Sequence, residues 1–367
     1  VKVLGFGTYD VSTHPRVGII LDGIADHGHT VREVNAPLGI GTAGRIEALS
    51  GVRAGLSFAA TVMSRWRTLV AESRPYRGHS DYGPDVVVVG YLGHFDVLLA
   101  RLLFPRTTIV LDHLIFASDT AKDRGLGRNP VVRLALRAID GVALRCASVI
   151  AVDTVAHRGL VPETLRNRTV VVPVGAPDEW FAAGEDKADS GGGSVVFFGL
   201  FTPLQGVPTL ATALRILHER GTLPPVTLIG RGQDDDEVRQ ILAGVPVTWL
   251  DWVPSDDLPQ VVAAHDICVG IVGTTDKARR VVPNKVYQGL AARCAVITSN
   301  TQPQRDILAD SVTFVEPGDE RALADAIEEL SSDQGVRTTR AERGFARAKS
   351  LFTRRAVVSG LLKRLGA

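Results

Sequence analysis

Short apolar runs, unbroken by the alternating polar residues of a half-exposed strand, recur along the whole chain. "VKVLGFG", "DVVVVGYLG", "TTIVLDHL", "SVIAVDT" and "TVVVPVG" fall in the first half; "GGSVVFFG", "PVTLIGRG", "VTWLDWV", "DICVGIV" and "CAVITS" in the second. A strand that is apolar on both faces has to be covered on both, which requires a parallel sheet with crossover helices on either side. Segments with helical patterning sit between the runs: "RVGIILDGIADHG", closed by Gly28, then "HFDVLLARLLF", "VPTLATALRILHERG", "SDDLPQVVAAH" and "PNKVYQGLAAR". With 367 residues the chain exceeds the size at which one core stops growing. The predicted fold class is therefore α/β, two Rossmann-like doubly wound parallel-sheet domains facing each other across a cleft. The predicted boundaries are 1–181 and 182–352, with a final helix at 353–367 crossing back to the first domain. The polar, glycine-rich stretch 182–194 is the expected linker.

Composition narrows the function classes. Lys and Arg number 41 against 40 Asp and Glu, giving a net charge of +1. Neither half carries the basic excess of a nucleic-acid binder. Cys146, Cys268 and Cys294 are too widely spaced for a zinc or redox motif. No apolar run reaches the roughly 18 residues that span a bilayer. These features, and the lack of a secretory pattern, point to reduced thiols and a cytoplasmic protein, with peripheral membrane contact as the alternative.

The segment "DKARRVVPNKVYQGLAARCAVITS" gathers Lys277, Arg279, Arg280 and Lys285 just before and inside the first turn of a predicted helix. Cations there oppose the positive end of the helix dipole and repel one another. Pro283 and Asn284 mark the helix start, so the N–H groups of Lys285, Val286 and Tyr287 are expected to point outward. An anion would reconcile the arrangement, bound by backbone donors, dipole and side-chain charge. A solvated basic loop is the plainer reading.

The order of these segments resembles the GT-B glycosyltransferases, in particular the retaining, nucleotide-sugar-dependent group known as family 4, over nearly the whole chain. "VVPVGAPDEWF" resembles the family's interdomain segment, and "VVFFGLFTPLQGVPTLATAL" its first strand, loop and helix of the second domain. "VTLIGRGQDDDEV" and "VTWLDWVPSDDLPQVVAAHDICV" resemble the strand–loop that follows and the segment that holds the nucleotide base. "PNKVYQGLAARCAVITS" resembles the donor-binding helix and its strand. The resemblance implies a GT-B fold and a nucleotide-diphosphate sugar as donor substrate, with no separate cofactor or metal. It implies a hydroxyl-bearing acceptor, either a small molecule or a lipid- or glycan-linked one. Donor-binding positions carried over are Thr202, Gln205, Gly206, Gly230, Arg231, Gly232, Trp252, Val253, Pro283, Asn284, Lys285 and Gln288.

This chain departs from the family's pattern where charge matters. Arg280 and Gln288 occupy the positions of a glutamate pair, and Leu200 and Gln205 those of an arginine and lysine that clasp the diphosphate. Gln288 can still bond a ribose, at about 0.5–1.5 kcal/mol rather than the roughly 1.5–3 of a charged acceptor. Lys277, Arg279, Arg280 and Lys285 are the expected replacement clasp, with Arg16 in "STHPR" as a further reach toward the diphosphate. The resemblance implies front-face transfer with retention, needing no positioned nucleophile. An inverting enzyme would need a base, for which His94, His113, Asp112 and Asp119 are the candidates. His113 lies close to where the family has a histidine near the donor sugar, and Asp119 and Arg124 are candidates for acceptor hydroxyls. The Asp234–Asp236 pair is expected in a solvated helix start rather than at a metal. Two rivals remain: a degenerate partner protein without activity of its own, and a nucleotide-sugar 2-epimerase of the same fold.

A last pattern lies at 45–70. Val52, Leu56, Ala59, Met63, Trp66 and Val70 recur at spacings of three and four, with Arg45, Arg53, Arg65 and Arg67 off the stripe. This predicts a basic amphipathic helix that either packs on the first domain or lies on an anionic membrane.

Overall fold

The computed structural model describes residues 1–11, 14–39, 52–78, 82–123, 130–187 and 191–367. Two compact units divide the chain: Val1–Pro173 with Val357–Ala367, and Val174–Ala356.

In the first unit the elements run β1 (Lys2–Gly7), α1 (Arg16–Asp26), β2 (Thr30–Asn35), α2 (Val52–Glu72), β3 (Val86–Val89), α3 (Asp96–Leu103), β4 (Thr108–Asp112), α4 (Ala117–Asp123), α5 (Pro130–Cys146), β5 (Val149–Val152), α6 (Val155–Leu160) and β6 (Thr169–Val171). All strands are parallel, in the order β2-β1-β3-β4-β5-β6. The all-apolar β3 is buried at every residue because both of its faces are covered. Leu4, Val87 and Ile109 pack under α2, α3 and α5 on one face. Val3, Val88 and Val149 pack under α1 on the other, with Val358, Leu361 and Leu362 from the end of the chain.

The second unit runs α7 (Asp178–Glu185), β7 (Val195–Phe198), α8 (Val207–Arg220), β8 (Val226–Ile229), α9 (Asp235–Ile241), β9 (Thr248–Leu250), α10 (Leu258–Ala263), β10 (Ile267–Val269), α11 (Asn284–Ala291), β11 (Ala295–Ser299), α12 (Gln302–Leu308), β12 (Thr313–Val315), α13 (Glu320–Ser332), α14 (Gln334–Leu351) and α15 (Arg354–Val357); α16 (Ser359–Leu365) rejoins the first unit. Its sheet is also parallel throughout, in the order β12-β11-β10-β7-β8-β9. Both units are doubly wound, the two-sheet architecture of the GT-B fold.

The units part at Pro173, ahead of the polar stretch 182–194. The reason is α7, whose Trp180 stacks on Phe198 with ring centroids 5.5 Å apart. Gly184 lies so close to α11 that a Cβ there would stand 2.1 Å from the Ala291 carbonyl oxygen. Helix α7 thus belongs to the second core although polar residues follow it. The stripe on α2 divides. Leu69 is fully buried and Trp66 and Val70 pack on the core, whereas Leu56 and Met63 are 66% and 51% exposed. Arg45 and the side chain of Arg53 lie outside the described residues, as do Ser12, Thr13 and Arg124. Among the described residues no helix is long and apolar enough to cross a membrane.

Candidate functional site

Ligands of open parallel sheets settle at the strand C-termini where the winding reverses direction. In the second unit that point lies between β7 and β10. Three glycine-bearing loops meet there. The one after β7 closes on the one after β10 through Val272 N–H donating to the Gln205 carbonyl at 3.1 Å. Gly206, at φ 70°, allows this approach, because a Cβ would stand 2.4 Å from the Gly273 nitrogen. Gly230, after β8, approaches the Gly199 carbonyl so closely that its own Cβ would sit 2.0 Å away. The edge is therefore largely bare backbone, which lets a ligand approach closely.

Lys285, in the first turn of α11, points into this edge. It is 5% exposed, and its Nζ lies 3.5 Å from the centre of the Phe197 ring and beside Gly199. That nitrogen has no hydrogen-bond partner. Burial drives its pKa well below the ordinary lysine value, with only a weak opposing pull from Cys268. The Gln205 Oε1 on the neighbouring loop is likewise buried without a partner. A buried donor and acceptor left unsatisfied at the switch point are the signature of a site built for a polar ligand.

The four cations do not act alike. The loop between β10 and α11 is pinned by Ala278, Ile271 and Val281, which pack with Leu204. Arg279 is exposed, and Lys277 and Arg280 are half-buried. Only Lys285 is drawn inside. Pro283 caps α11 without a side-chain bond, and the Val286 N–H, expected to be open, donates to the Pro283 carbonyl at 3.0 Å. Gln288, Asn284 and Pro283 are half-buried on the same helix start, as is Thr202 on the β7 loop. Beyond β9, Trp252 is 75% exposed and Val253 half-buried. Arg231 and Gly232 are exposed, with Arg231 paired to Asp251 at 2.8 Å. Asp234 departs from the expected solvated helix start: it is 9% exposed, and burial raises its pKa, as does Glu237. It sits below the glycine turn, where its N–H donates to the Phe201 carbonyl at 3.0 Å.

In the first unit the winding reverses between β1 and β3. The turn after β3 brings His94 beside His113 from the end of β4, ring centroids 4.9 Å apart. Asp140 on α5 joins them. Its Oδ1 lies 3.0 Å from His94 Nε2 and 4.0 Å from His113 Nε2. The same carboxylate accepts from the N–H of Ala117 at 2.9 Å and from the N–H and Oγ of Ser118 at 3.2 and 3.0 Å. All three residues are buried, and they are the described residues whose ligand-type atoms lie within 4.8 Å of one another. Asp140 is already saturated by these donors, so the arrangement is a hydrogen-bonded hub. Burial opposes the charge on Asp140, but the bond from His94 and the two imidazoles outweigh it and lower its pKa. Burial, helped by His94, lowers His113 to about 3, so its ring is neutral. Asp140 escaped the sequence reading. Its signal is a carboxylate on the buried stripe of Leu136, Ala143 and Leu144.

Two expectations are corrected here. Arg16 is turned inward rather than standing open: it is 1% exposed, with Nε donating to Asp112 Oδ1 at 2.8 Å and Nη1 to the Pro173 carbonyl at 2.9 Å, while Nη2 has no partner. Asp112 is thereby engaged through Oδ1, and its Oδ2 has no partner. Burial raises its pKa against the pull of Arg16. Nearby, Asp96 accepts from Thr8 and Trp66, holding the turn that carries His94. Asp119 is half-buried in the first turn of α4.

Comparison with known proteins places these features. Residues 192–333 match the family model described as "Glycosyl transferases group 1". A curated relative, the lipopolysaccharide core biosynthesis glycosyltransferase LpsE of Rhizobium meliloti, is 25% identical over 181 residues, 47% of this chain and 49% of its own length. The match thus spans about half of that relative. Among solved structures, sucrose-phosphate synthase of Thermosynechococcus elongatus is similar over 99% of this chain and 98% of its own, with TM-score 0.71 and 16% identity. HepE of Anabaena, solved in complex with UDP, is similar over 100% of both chains, with TM-score 0.61 and 13% identity.

Proposed function

We infer that this GT-B protein, whose residues 192–333 are of the group 1 glycosyltransferase type, moves a sugar from a nucleoside diphosphate sugar to a hydroxyl of a small-molecule, lipid-linked or glycan-linked acceptor. The observation that carries this reading is Lys285: a buried side-chain nitrogen without a hydrogen-bond partner at the switch point of the second sheet, in the first turn of α11. A diphosphate supplies the anion that position lacks. As the anomeric C–O bond breaks, negative charge grows on the leaving diphosphate, and Lys285 with the first N–H groups of α11 stabilises it. Arg279 adds charge from the rim.

Transfer with retention then follows from front-face attack. The acceptor oxygen bonds the anomeric carbon, and its proton passes to the departing phosphate. No protein nucleophile takes part, and the charge-neutralising role is assigned to these side chains rather than to a metal. Gln288 is assigned to the ribose and exposed Trp252 to the base face. His113, neutral and held by its neighbours, is suited to a single hydrogen bond with a sugar hydroxyl.

The presence of Arg280 and Gln288 in place of the glutamate pair favours a second reading, a partner protein that binds donor without turnover. A thermal-shift screen of UDP, dTDP, GDP and ADP tests binding, since a ligand at 100 times its Kd adds about 2.7 kcal/mol. UDP is the first choice because HepE was solved with it. Release of nucleoside diphosphate by the isolated chain, dependent on acceptor, is the expected result. Binding without release would assign the partner role, and conversion of the sugar without acceptor an epimerase.

A further inference from the structure

Helices α2, α3 and α5 form one layer over a face of the first sheet, joined by Leu69, Val97, Ala100, Ala143 and Leu144 beneath. Their outer side is apolar where a soluble layer is polar. Leu56 and Met63 on α2, Leu102 on α3, and Val131, Leu134 and Val142 on α5 are 47–76% exposed. On α5 these residues are spaced to share one helix face, as are Leu56 and Met63 on α2. Arg65, Arg67, Arg133, Arg137 and Arg145 are exposed on the same helices. The acids there are few: Asp96 and Asp140 are buried and engaged, leaving Glu72 exposed. In a chain with net charge +1 this is a local concentration of positive charge, not a reflection of composition.

Side-chain contacts also anchor this layer to the sheet edge. Trp66 Nε1 donates to Asp96 at the start of α3, at the C-terminal edge of the sheet. Phe58, about two turns earlier on α2, meets Phe95 beside Asp96 edge-to-face, with ring centroids 6.4 Å apart. Asp140 meets His94 at the same edge.

We propose that this face of α2, α3 and α5 docks on an anionic lipid bilayer. Apolar side chains flanked by arginines match a bilayer surface, where leucine, valine and methionine enter the acyl boundary and guanidinium groups meet lipid phosphates. A second copy of the chain is the weaker occupant, because a two-fold interface through this face would set the same arginines against one another. The proposal does not rest on the transferase reading.

Flotation of the full chain with phosphatidylcholine vesicles, with and without phosphatidylglycerol, tests it. Binding is expected only with phosphatidylglycerol and should weaken as salt rises. Replacing Arg65, Arg133 or Arg137 with Gln should each lower the partition about fivefold. Met63→Glu with Leu134→Glu should abolish it, while Leu351→Glu, on α14 of the second unit, should leave it unchanged. Circular dichroism and the nucleotide thermal shift report that each variant is folded. No phosphatidylglycerol-dependent binding at low salt would overturn the proposal, as would binding indifferent to these variants. A dimer in sedimentation that the same variants dissociate, without vesicle binding, would overturn it in favour of self-association.

Discussion

The two sheets reverse their winding at equivalent places, yet the ionisable groups there live under opposite conditions. In the first unit the buried ionisable groups at the edge pair with one another: Arg16 with Asp112, His157 with Asp153, and Asp140 with His94 and three donors from α4. In the second, Lys285 is buried against Phe197 with no acceptor. The first edge leaves Arg16 Nη2, Asp112 Oδ2 and His113 Nε2 without partners, but its opposite charges meet, whereas Lys285 Nζ faces the Phe197 ring. Desolvation without compensation is costly, so such a group persists where binding restores what folding removed. The comparison separates an edge whose buried groups pair with one another from one that leaves the Lys285 Nζ without a hydrogen-bond partner.

The most severe break of the first edge is Asp140→Ala. It strands the His94 ring and the donors of Ala117 and Ser118, and should cost about 3–5 kcal/mol of stability in chemical denaturation. The acid limb sharpens the same point. The unfolded chain protonates a histidine near pH 6.5, whereas His113 stays neutral in the fold down to about 3. Stability should therefore fall as pH drops through that interval. Asp140, with its lowered pKa, adds a further loss once pH falls below the ordinary aspartate range. His113→Asn should flatten the upper part of that decline; an unchanged slope would show that the ring titrates freely.

At the second edge the expected signs are opposed. Lys285→Met should leave the free protein as stable or more so, because it removes a buried amine that has no hydrogen-bond partner. It should weaken nucleoside diphosphate binding by about 1.5–3 kcal/mol and leave nucleoside binding little changed. Since the free Lys285 is held toward its neutral form, diphosphate binding should also take up a proton. Calorimetry in buffers of different ionisation enthalpy would detect this uptake, and its loss in the variant. Destabilisation by Lys285→Met together with unchanged affinity would erase the distinction between the two edges.

The smallest effect belongs to Gln288. Gln288→Glu should hold or improve diphosphate affinity, and Gln288→Leu should lower it by about 0.5–1.5 kcal/mol. A titration in which both match the parent would remove this residue from the ribose.

The two-sheet, doubly wound architecture was written in the sequence itself. Unbroken apolar runs such as Val86–Val89 and Val195–Phe198 can only be interior parallel strands. The glycines after β7 and β8 mark where backbone must approach backbone, and the cation-rich start of α11 stood out in residue type alone. These features are local, and periodicity and residue type report local burial directly. The fate of each charge was not local. Arg16 appeared to be a cleft residue until Asp112, 96 positions away in sequence, closed on it. Asp140 appeared to be an ordinary helix residue until the turns carrying His94 and Ala117 converged on it. Among four similar cations, only the packing of Ala278 and Phe197 decided that Lys285 turns inward while Arg279 faces solvent. Hydrophobic pattern is a property of a segment, whereas the energy of a buried charge depends on what the rest of the fold places within a few ångströms of it. That second quantity exists only once the chain has folded.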